Sequence, residues 1–97
     1  MPAPRELQSL GIEKFITEYS FFTSKPNLKT AINYLIDKRI SNEAGAARRA
    51  NAARKIFSNP FLLRECLTYV AFQAKKIDAG IIAQAKNLLA ALPPLSH

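Results

Sequence analysis

The fold is decided by residues 28–57, which read LKTAINYLIDKRISNEAGAARRANAARKIF. Steps of four and three residues collect polar or small side chains on one side of this segment: Thr30, Tyr34, Asp37, Ser41, Ala44, Arg48, Asn51 and Lys55. The opposite side collects apolar side chains: Leu28, Ile32, Leu35, Ala46, Ala50, Ala53 and Phe57. Both sides keep the period of an α-helix along the whole segment. The pattern therefore predicts one continuous amphipathic helix over residues 28–57.

The residues around this segment predict three further helices. Glycine is rare, with 3 residues in 97, and no β-branched run alternates with polar residues, so strands are not expected. Pro26 and Asn27 mark the entry to the long helix, and Asn59 and Pro60 mark its exit, because Asn favours the N-cap and Pro the first helical position. We expect an all-α, single-domain chain over residues 1–97 with helices at about 5–20, 28–57, 60–75 and 79–91.

The length of the central helix predicts an oligomer. A helix over residues 28–57 would be about 45 Å long, whereas a compact chain of this size is roughly 30 to 35 Å across. The helix would therefore extend beyond a monomer and leave part of its apolar side uncovered. We expect a helical-bundle homodimer in which two long helices bury this surface against each other.

Positive charge is concentrated in the middle third of the chain. The net charge is +7, and the segment 25–58 holds eight cations against only Asp37 and Glu43: Lys25, Lys29, Lys38, Arg39, Arg48, Arg49, Arg54 and Lys55. Such clustering is typical of proteins that bind a polyanion. The alternative is that these charges bind no partner and only keep the surface of a helix solvated.

The polar side of the central segment is the candidate binding surface. Its candidate nucleic-acid-binding residues are Lys38, Ser41, Arg48, Asn51, Arg54 and Lys55. Guanidinium and ammonium groups neutralise phosphates, while Asn and Ser hydrogen-bond to phosphate or to a 2′-hydroxyl. Asp37 lies on the same side and counts against this interpretation. Tyr34, at its edge, could stack on an unpaired base, whereas we expect the other aromatic residues in the core.

The sequence lacks the residue combinations that catalysis, metal binding and nucleotide binding require. The single histidine is His97, the carboxylates do not cluster, and no glycine-rich phosphate loop is present, so we expect neither an enzyme nor a metal, cofactor or small-molecule substrate. Cys66 is the only cysteine and is expected in the core. No apolar run is long enough for a membrane span, and no secretory signal is recognisable. A cytoplasmic protein without a membrane partner is expected.

The layout of the chain is similar to that of a known family. A short first helix beginning near Glu6, the Pro26-Asn27 entry to a long basic helix and the Asn59-Pro60 exit resemble the small double-stranded RNA-binding silencing suppressors of insect nodaviruses. The resemblance implies an all-helical homodimer whose long helix lies along duplex RNA without reading its sequence. It also implies that the duplex is hidden from RNA processing in the host cytoplasm.

Two other functions compete with duplex RNA binding. A DNA-binding helix-turn-helix would place its first helix at residues 29–39, its turn at 40–41 and its recognition helix at 42–57, which would offer Arg48 and Arg49 to the major groove. That turn would lack a central glycine. If a turn did interrupt the segment, the unbroken helical spacing of the polar residues on both sides of it would be a coincidence. A helical adaptor for an acidic protein is the second alternative, supported by charge alone.

Overall fold

A computed structural model of the chain describes residues 3–38, 42–74 and 76–92, and helices are the only regular elements in these three ranges. In chain order the helices are α1 (Arg5–Leu10), α2 (Ile12–Thr17), α3 (Tyr19–Thr23), α4 (Leu28–Asp37), α5 (Glu43–Ser58), α6 (Pro60–Phe72) and α7 (Ala79–Ala91). The expected all-α class is therefore confirmed, but the expected division into four helices is not.

The single helix predicted over residues 5–20 is wrong, because three short helices occupy this region. The chain breaks first at Gly11, whose φ of 96° lies in a region that only glycine adopts without strain. It breaks again at Glu18, with φ −102° and ψ 15°. Leu10 and Phe15 are both fully buried, and their five-residue separation does not fit one face of a straight helix. The break at Gly11 lets both side chains reach the core.

The continuous helix predicted over residues 28–57 is also wrong. Helix α4 ends at Asp37, and α5 begins at Glu43. Before α5, Asn42 has extended backbone geometry, and its side-chain Oδ1 accepts a hydrogen bond from the Gly45 N–H at 2.9 Å. An asparagine that caps the next helix in this way satisfies a free N–H group and favours a new start over continuation.

Helices α4 and α5 pack against each other instead of forming one rod. This arrangement buries small side chains completely, among them Ala31 of α4 and Ala46, Ala50 and Ala53 of α5. The radius of gyration is 12.9 Å and the largest extent is 33 Å, whereas the 16 residues of α5 span about 24 Å. None of the helices within the described residues extends beyond the monomer, so the length-based reason for a homodimer does not hold. The homodimer itself stays a prediction.

The last two helices begin where the sequence predicts. Asn59 caps α6 by accepting hydrogen bonds from two backbone N–H groups, and Pro60 occupies its first position. The helix ends at Phe72, earlier than the expected residue 75. Asp78 accepts a hydrogen bond from a backbone N–H at 2.7 Å and caps α7, whose bounds agree with the prediction.

Helix α5 lies at the centre of the fold, where it contacts α1, α3, α4 and α6, while α7 packs on α6 and α2. The largest fully buried side chains of the core are Phe15, Phe22, Leu7, Leu10, Ile16, Leu35, Ile56, Leu67, Val70 and Cys66. Phe61 and Phe72 do not join them, since they are 61% and 67% exposed. The expectation that the aromatic residues lie in the core is therefore wrong for these two. These neighbours leave one side of α5 open to solvent.

Candidate nucleic-acid interface

One side of α5 is open to solvent and carries four of the predicted binding residues. Arg48, Asn51, Arg54 and Lys55 are all exposed. Because successive residues of an α-helix are about 100° apart, these four occupy an arc of about 120°. We call this surface the α5 face. The charged groups of Arg48 and Lys55 are not held in an ion pair by any residue that the structure describes.

The α5 face is flat because its other residues are small. Ala44 and Ser58 are exposed on the same side, and Ala47 is half-buried between them. No bulky side chain stands between the cations, so a rigid polyanion could approach the helix closely along its length. Along the helix axis Arg48 and Lys55 are about 10 Å apart. This spacing allows them to reach different phosphates of one strand.

Helix α1 widens the surface on one flank. A groove of about 250 Å³ separates it from α5, and its polar lining comes from both helices: Arg5, Glu6, Ser9, Arg48, Asn51 and Lys55. Arg5 and Ser9 were not among the predicted binding residues, because they come beside α5 only through packing between distant parts of the chain. Glu6 offsets part of the positive charge, which leaves three cations against one carboxylate in this groove.

Arg49 belongs to the interior and not to the α5 face. It is half-buried, and its Nη1 donates a hydrogen bond to the backbone carbonyl oxygen of Leu10 at 2.9 Å. This bond ties the middle of α5 to the end of α1, where the chain turns at Gly11. The two adjacent arginines therefore differ: Arg48 points to solvent, while Arg49 holds two helices together.

Of the two predicted residues outside α5, only Lys38 lies in the described part of the chain, and it is not on the helix that carries the α5 face. Lys38 follows the last residue of α4 and is exposed, with its Nζ 5.6 Å from the centre of the Tyr34 ring. Ser41 lies outside the described residues. Helix α4 ends at Asp37 and α5 begins at Glu43, so the single helix that was expected to place Lys38 beside Arg48 is absent.

Tyr34 is already engaged within the protein. Its ring stacks on Phe21, with 3.7 Å between centroids and 8° between planes. Its hydroxyl donates a hydrogen bond to the Glu18 carboxylate. This hydrogen bond, burial and the charge of Glu18 raise the pKa of Tyr34 to about 12. A ring held in this way is not a free platform for a base, so the suggested stacking role of Tyr34 has no geometric support.

Other chemistry is sparse in the parts of the chain that the structure describes. Cys66 is fully buried, as expected, and burial together with the charges of Glu65 and Glu6 raises the pKa of its thiol to about 12. Such a thiol stays protonated and is a poor nucleophile. Over residues 3–38, 42–74 and 76–92, no three histidine, cysteine or acidic side chains are grouped to hold a metal ion. Within the same ranges, no helix is long and apolar enough to span a membrane.

Comparison of the chain with protein-family models, with curated proteins and with solved structures finds no significant match. The chemistry of the α5 face is therefore the basis on which a function can be proposed.

Proposed function

We propose that this protein binds double-stranded RNA without reading its sequence, through the α5 face and the adjoining residues of α1. The observation that carries the proposal is the arrangement of Arg5 and Ser9 alongside Arg48, Asn51 and Lys55 on one open surface. The cations would neutralise phosphates and release counterions. Serine and asparagine would hydrogen-bond to phosphates or to the 2′-hydroxyl groups that distinguish RNA from DNA.

The shape of this surface favours RNA over DNA. Since α1 runs beside α5, the surface is broad and does not consist of one protruding helix. The minor groove of A-form RNA is wide and shallow and suits such a surface, whereas the major groove of B-DNA is about 8.5 Å deep and is usually read by an inserted helix. A duplex covered in this manner would be hidden from RNA-processing enzymes, as the resemblance to nodaviral silencing suppressors in the host cytoplasm implies.

A DNA-binding helix-turn-helix is the second candidate, and one specific observation favours it. The helices α4 and α5 divide the chain at residues 38–42, close to the division that this alternative requires. Arg48 is exposed at a position from which it could reach base edges. Arg49, however, is hydrogen-bonded to Leu10, so the two arginines that this alternative needs are not presented together.

A titration with three ligands separates these functions. Fluorescence anisotropy would compare duplex RNA, duplex DNA of the same sequence and single-stranded RNA, at ~50 and ~200 mM salt. Tighter binding of duplex RNA, with little change between two unrelated sequences, is expected. A strong preference for one DNA sequence would establish the helix-turn-helix instead. No binding to any of the three ligands would leave an acidic protein as the remaining partner.

Single substitutions test whether the α5 face makes the contact. Arg48→Ala and Lys55→Ala should each weaken binding about three- to tenfold and reduce the slope of log affinity against log salt by about one, because each removes one phosphate contact. Lys86→Ala, on α7, makes the same change of charge outside the α5 face and serves as the matched control. If all three variants behave alike, the effect is one of net charge and the α5 face is not the binding site.

The predicted homodimer is tested separately. Light scattering should give about twice the chain mass of 10.8 kDa if the exposed phenyl rings of Phe61 and Phe72 are covered by a second copy. Two copies would double the number of phosphate contacts and steepen the salt dependence. A mass that stays at that of one chain at the highest concentration measured would exclude the homodimer, and the binding surface described above would then act as a monomer.

A further inference from the structure

A cleft lies at the edge of the α5 face that is opposite to α1. It has a volume of about 510 Å³ and separates the connector that precedes α4 from the carboxyl-terminal half of α5. Its floor is closed by Phe22 and Phe57, which are 2% and 8% exposed and belong to the core. A ligand therefore has access only to the rim of the cleft, where Lys25, Asn27 and Arg54 are exposed.

The rim of this cleft is positively charged. The ammonium group of Lys25 and the guanidinium group of Arg54 form no ion pair with any residue that the structure describes, and none of the described lining residues is acidic. Asn27 uses its Oδ1 to accept a hydrogen bond from the Thr30 N–H at 2.8 Å, which leaves its amide group as a donor. The groove beside α1, by contrast, contains Glu6. The rim of the cleft therefore has the composition of an anion site.

The start of α4 adds to this positive charge. The amino-terminal end of a helix carries a partial positive charge, which an acidic side chain in the first turn stabilises. The first turn of α4 contains no acidic residue, and Lys29 is exposed within it. Two lysines and the start of a helix thus lie within residues 25–29, a stretch without a carboxylate side chain. A phosphate group at the rim would balance part of this charge.

The cleft and the groove beside α1 lie at two different edges of α5. Arg48 and Arg54 are six residues apart and therefore point about 120° away from each other around the helix axis. Arg48 lines the groove beside α1, whereas Arg54 lines the cleft. Since a helix with its side chains is about 10 to 12 Å wide, roughly the width of one helix separates the two cationic edges. A strand that follows the groove beside α1 thus leaves the cleft free for a further phosphate.

We infer that the rim of the cleft is a second phosphate site for the bound RNA, at which Lys25, Arg54 and the amide group of Asn27 contact one phosphate group. This inference rests on the proposed duplex RNA binding and adds a contact outside the α5 face and α1. A duplex can supply this phosphate in two ways. The second strand presents one across the groove, and a phosphorylated 5′ end presents one at the terminus.

The test measures how Lys25→Gly changes the affinity for three RNAs: a duplex of about 20 base pairs with 5′-hydroxyl ends, the same duplex with 5′-phosphate ends, and one of its strands with a 5′-hydroxyl end. Fluorescence anisotropy at two salt concentrations gives the affinities. If the second strand supplies the phosphate, both duplexes should bind about three- to tenfold more weakly, with a salt slope lower by about one, while the single strand binds as before. If the 5′ end supplies it, only the phosphorylated duplex should bind more weakly.

Two matched variants connect this loss to the charge of Lys25. Lys25 has a left-handed φ of 56°, and Lys76, between α6 and α7, has the same charge and a φ of 59°. Glycine adopts this conformation without strain, so neither Lys25→Gly nor Lys76→Gly should lower the melting temperature. Lys76→Gly should bind all three RNAs as wild type does. Lys25→Arg keeps the positive charge at the rim and should retain the wild-type affinity.

The outcomes separate this inference from the function on which it rests. Wild-type affinity of Lys25→Gly for both duplexes would refute the second phosphate site, and a loss of affinity in Arg48→Ala would then show that duplex binding itself is intact. Equal losses in Lys25→Gly and Lys76→Gly would also refute it, because the effect would be one of net charge. An equal loss for duplex and single strand would place Lys25 on the same phosphate row as Arg48 and overturn the inference. Failure of the wild type to bind either duplex would refute the proposed function.

Discussion

The adjacent residues Arg48 and Arg49 should respond in opposite ways to the same substitution. Arg49→Ala removes a hydrogen bond from a charged donor to the buried carbonyl of Leu10, and bonds of this type contribute about 1.5 to 3 kcal/mol. Since 1 kcal/mol shifts the melting temperature of a domain of this size by roughly 4 to 8 °C, we expect a decrease of about 6 to 24 °C. Arg48→Ala, at an exposed position, should change the free energy of unfolding by less than about 0.5 kcal/mol.

Binding should show the reverse order. Thermal unfolding followed by circular dichroism gives the stability of both variants, and anisotropy with duplex RNA below their melting temperatures gives their affinity. Arg48→Ala should bind more weakly and melt normally, whereas Arg49→Ala should melt early and, while folded, bind normally. Arg49→Lys keeps the charge but loses the planar donor group, so it should fall between wild type and Arg49→Ala in stability.

Equal losses of stability in the two alanine variants would contradict this division of roles. So would a loss of affinity confined to Arg49→Ala, because it would mean that Arg49 leaves Leu10 to contact the ligand. In that case α1 and α5 would not be held together as described, and the second arginine that a helix-turn-helix requires would be present.

Three further predictions concern the scaffold. Because the pKa of Tyr34 is about 12 in the folded protein and 10.0 is its ordinary value, the unfolded chain loses this proton first, and Tyr34 should lower the free energy of unfolding between about pH 10 and 12, in addition to the decreases caused by the raised pKa values of Tyr19 and Cys66. Tyr34→Phe should remove the Tyr34 contribution, which is measured as its difference from wild type in denaturant titrations at several pH values. Asn42→Ala should cost about 1 kcal/mol as a lost helix cap, whereas Asn33→Ala, exposed within α4, should not destabilise. Ala50→Leu should cost about 1 to 3 kcal/mol by overpacking, while Ala44→Leu, on the surface, should be tolerated; chemical denaturation measures both pairs.

Local signals predicted some elements of this fold correctly. The starts of α6 and α7 follow from Asn59 with Pro60 and from Asp78, because a cap is a contact within three residues of chain. The break between α4 and α5 was not predicted, and the reason is geometric. Leu35 and Ala46 are separated by 11 residues, about three helical turns, so the apolar phase is the same with or without the break.

The candidate site was predictable in part, because the periodicity of a helix is a local signal. Periodicity alone places Arg48, Asn51 and Lys55 on one side of a helix and turns Arg49 away from them, and the structure confirms this for α5. The contribution of Arg5 could not be predicted, because it depends on which face of α1 packs against a helix more than thirty residues away in the sequence. That these side chains bind RNA stays a prediction, which the titrations described above test.

The position of α5 constrains how this chain can change. The same helix supplies the buried alanines of the core and the cations of the surface, interleaved along its length. Inserting one residue near its middle would rotate everything beyond it by about 100°, which would carry Lys55 to the buried position of Ile56 and Ala53 to the exposed position of Arg54. Substitutions within α5 can therefore tune binding or stability one position at a time, but changes of length are expected to be tolerated only in the connections between helices.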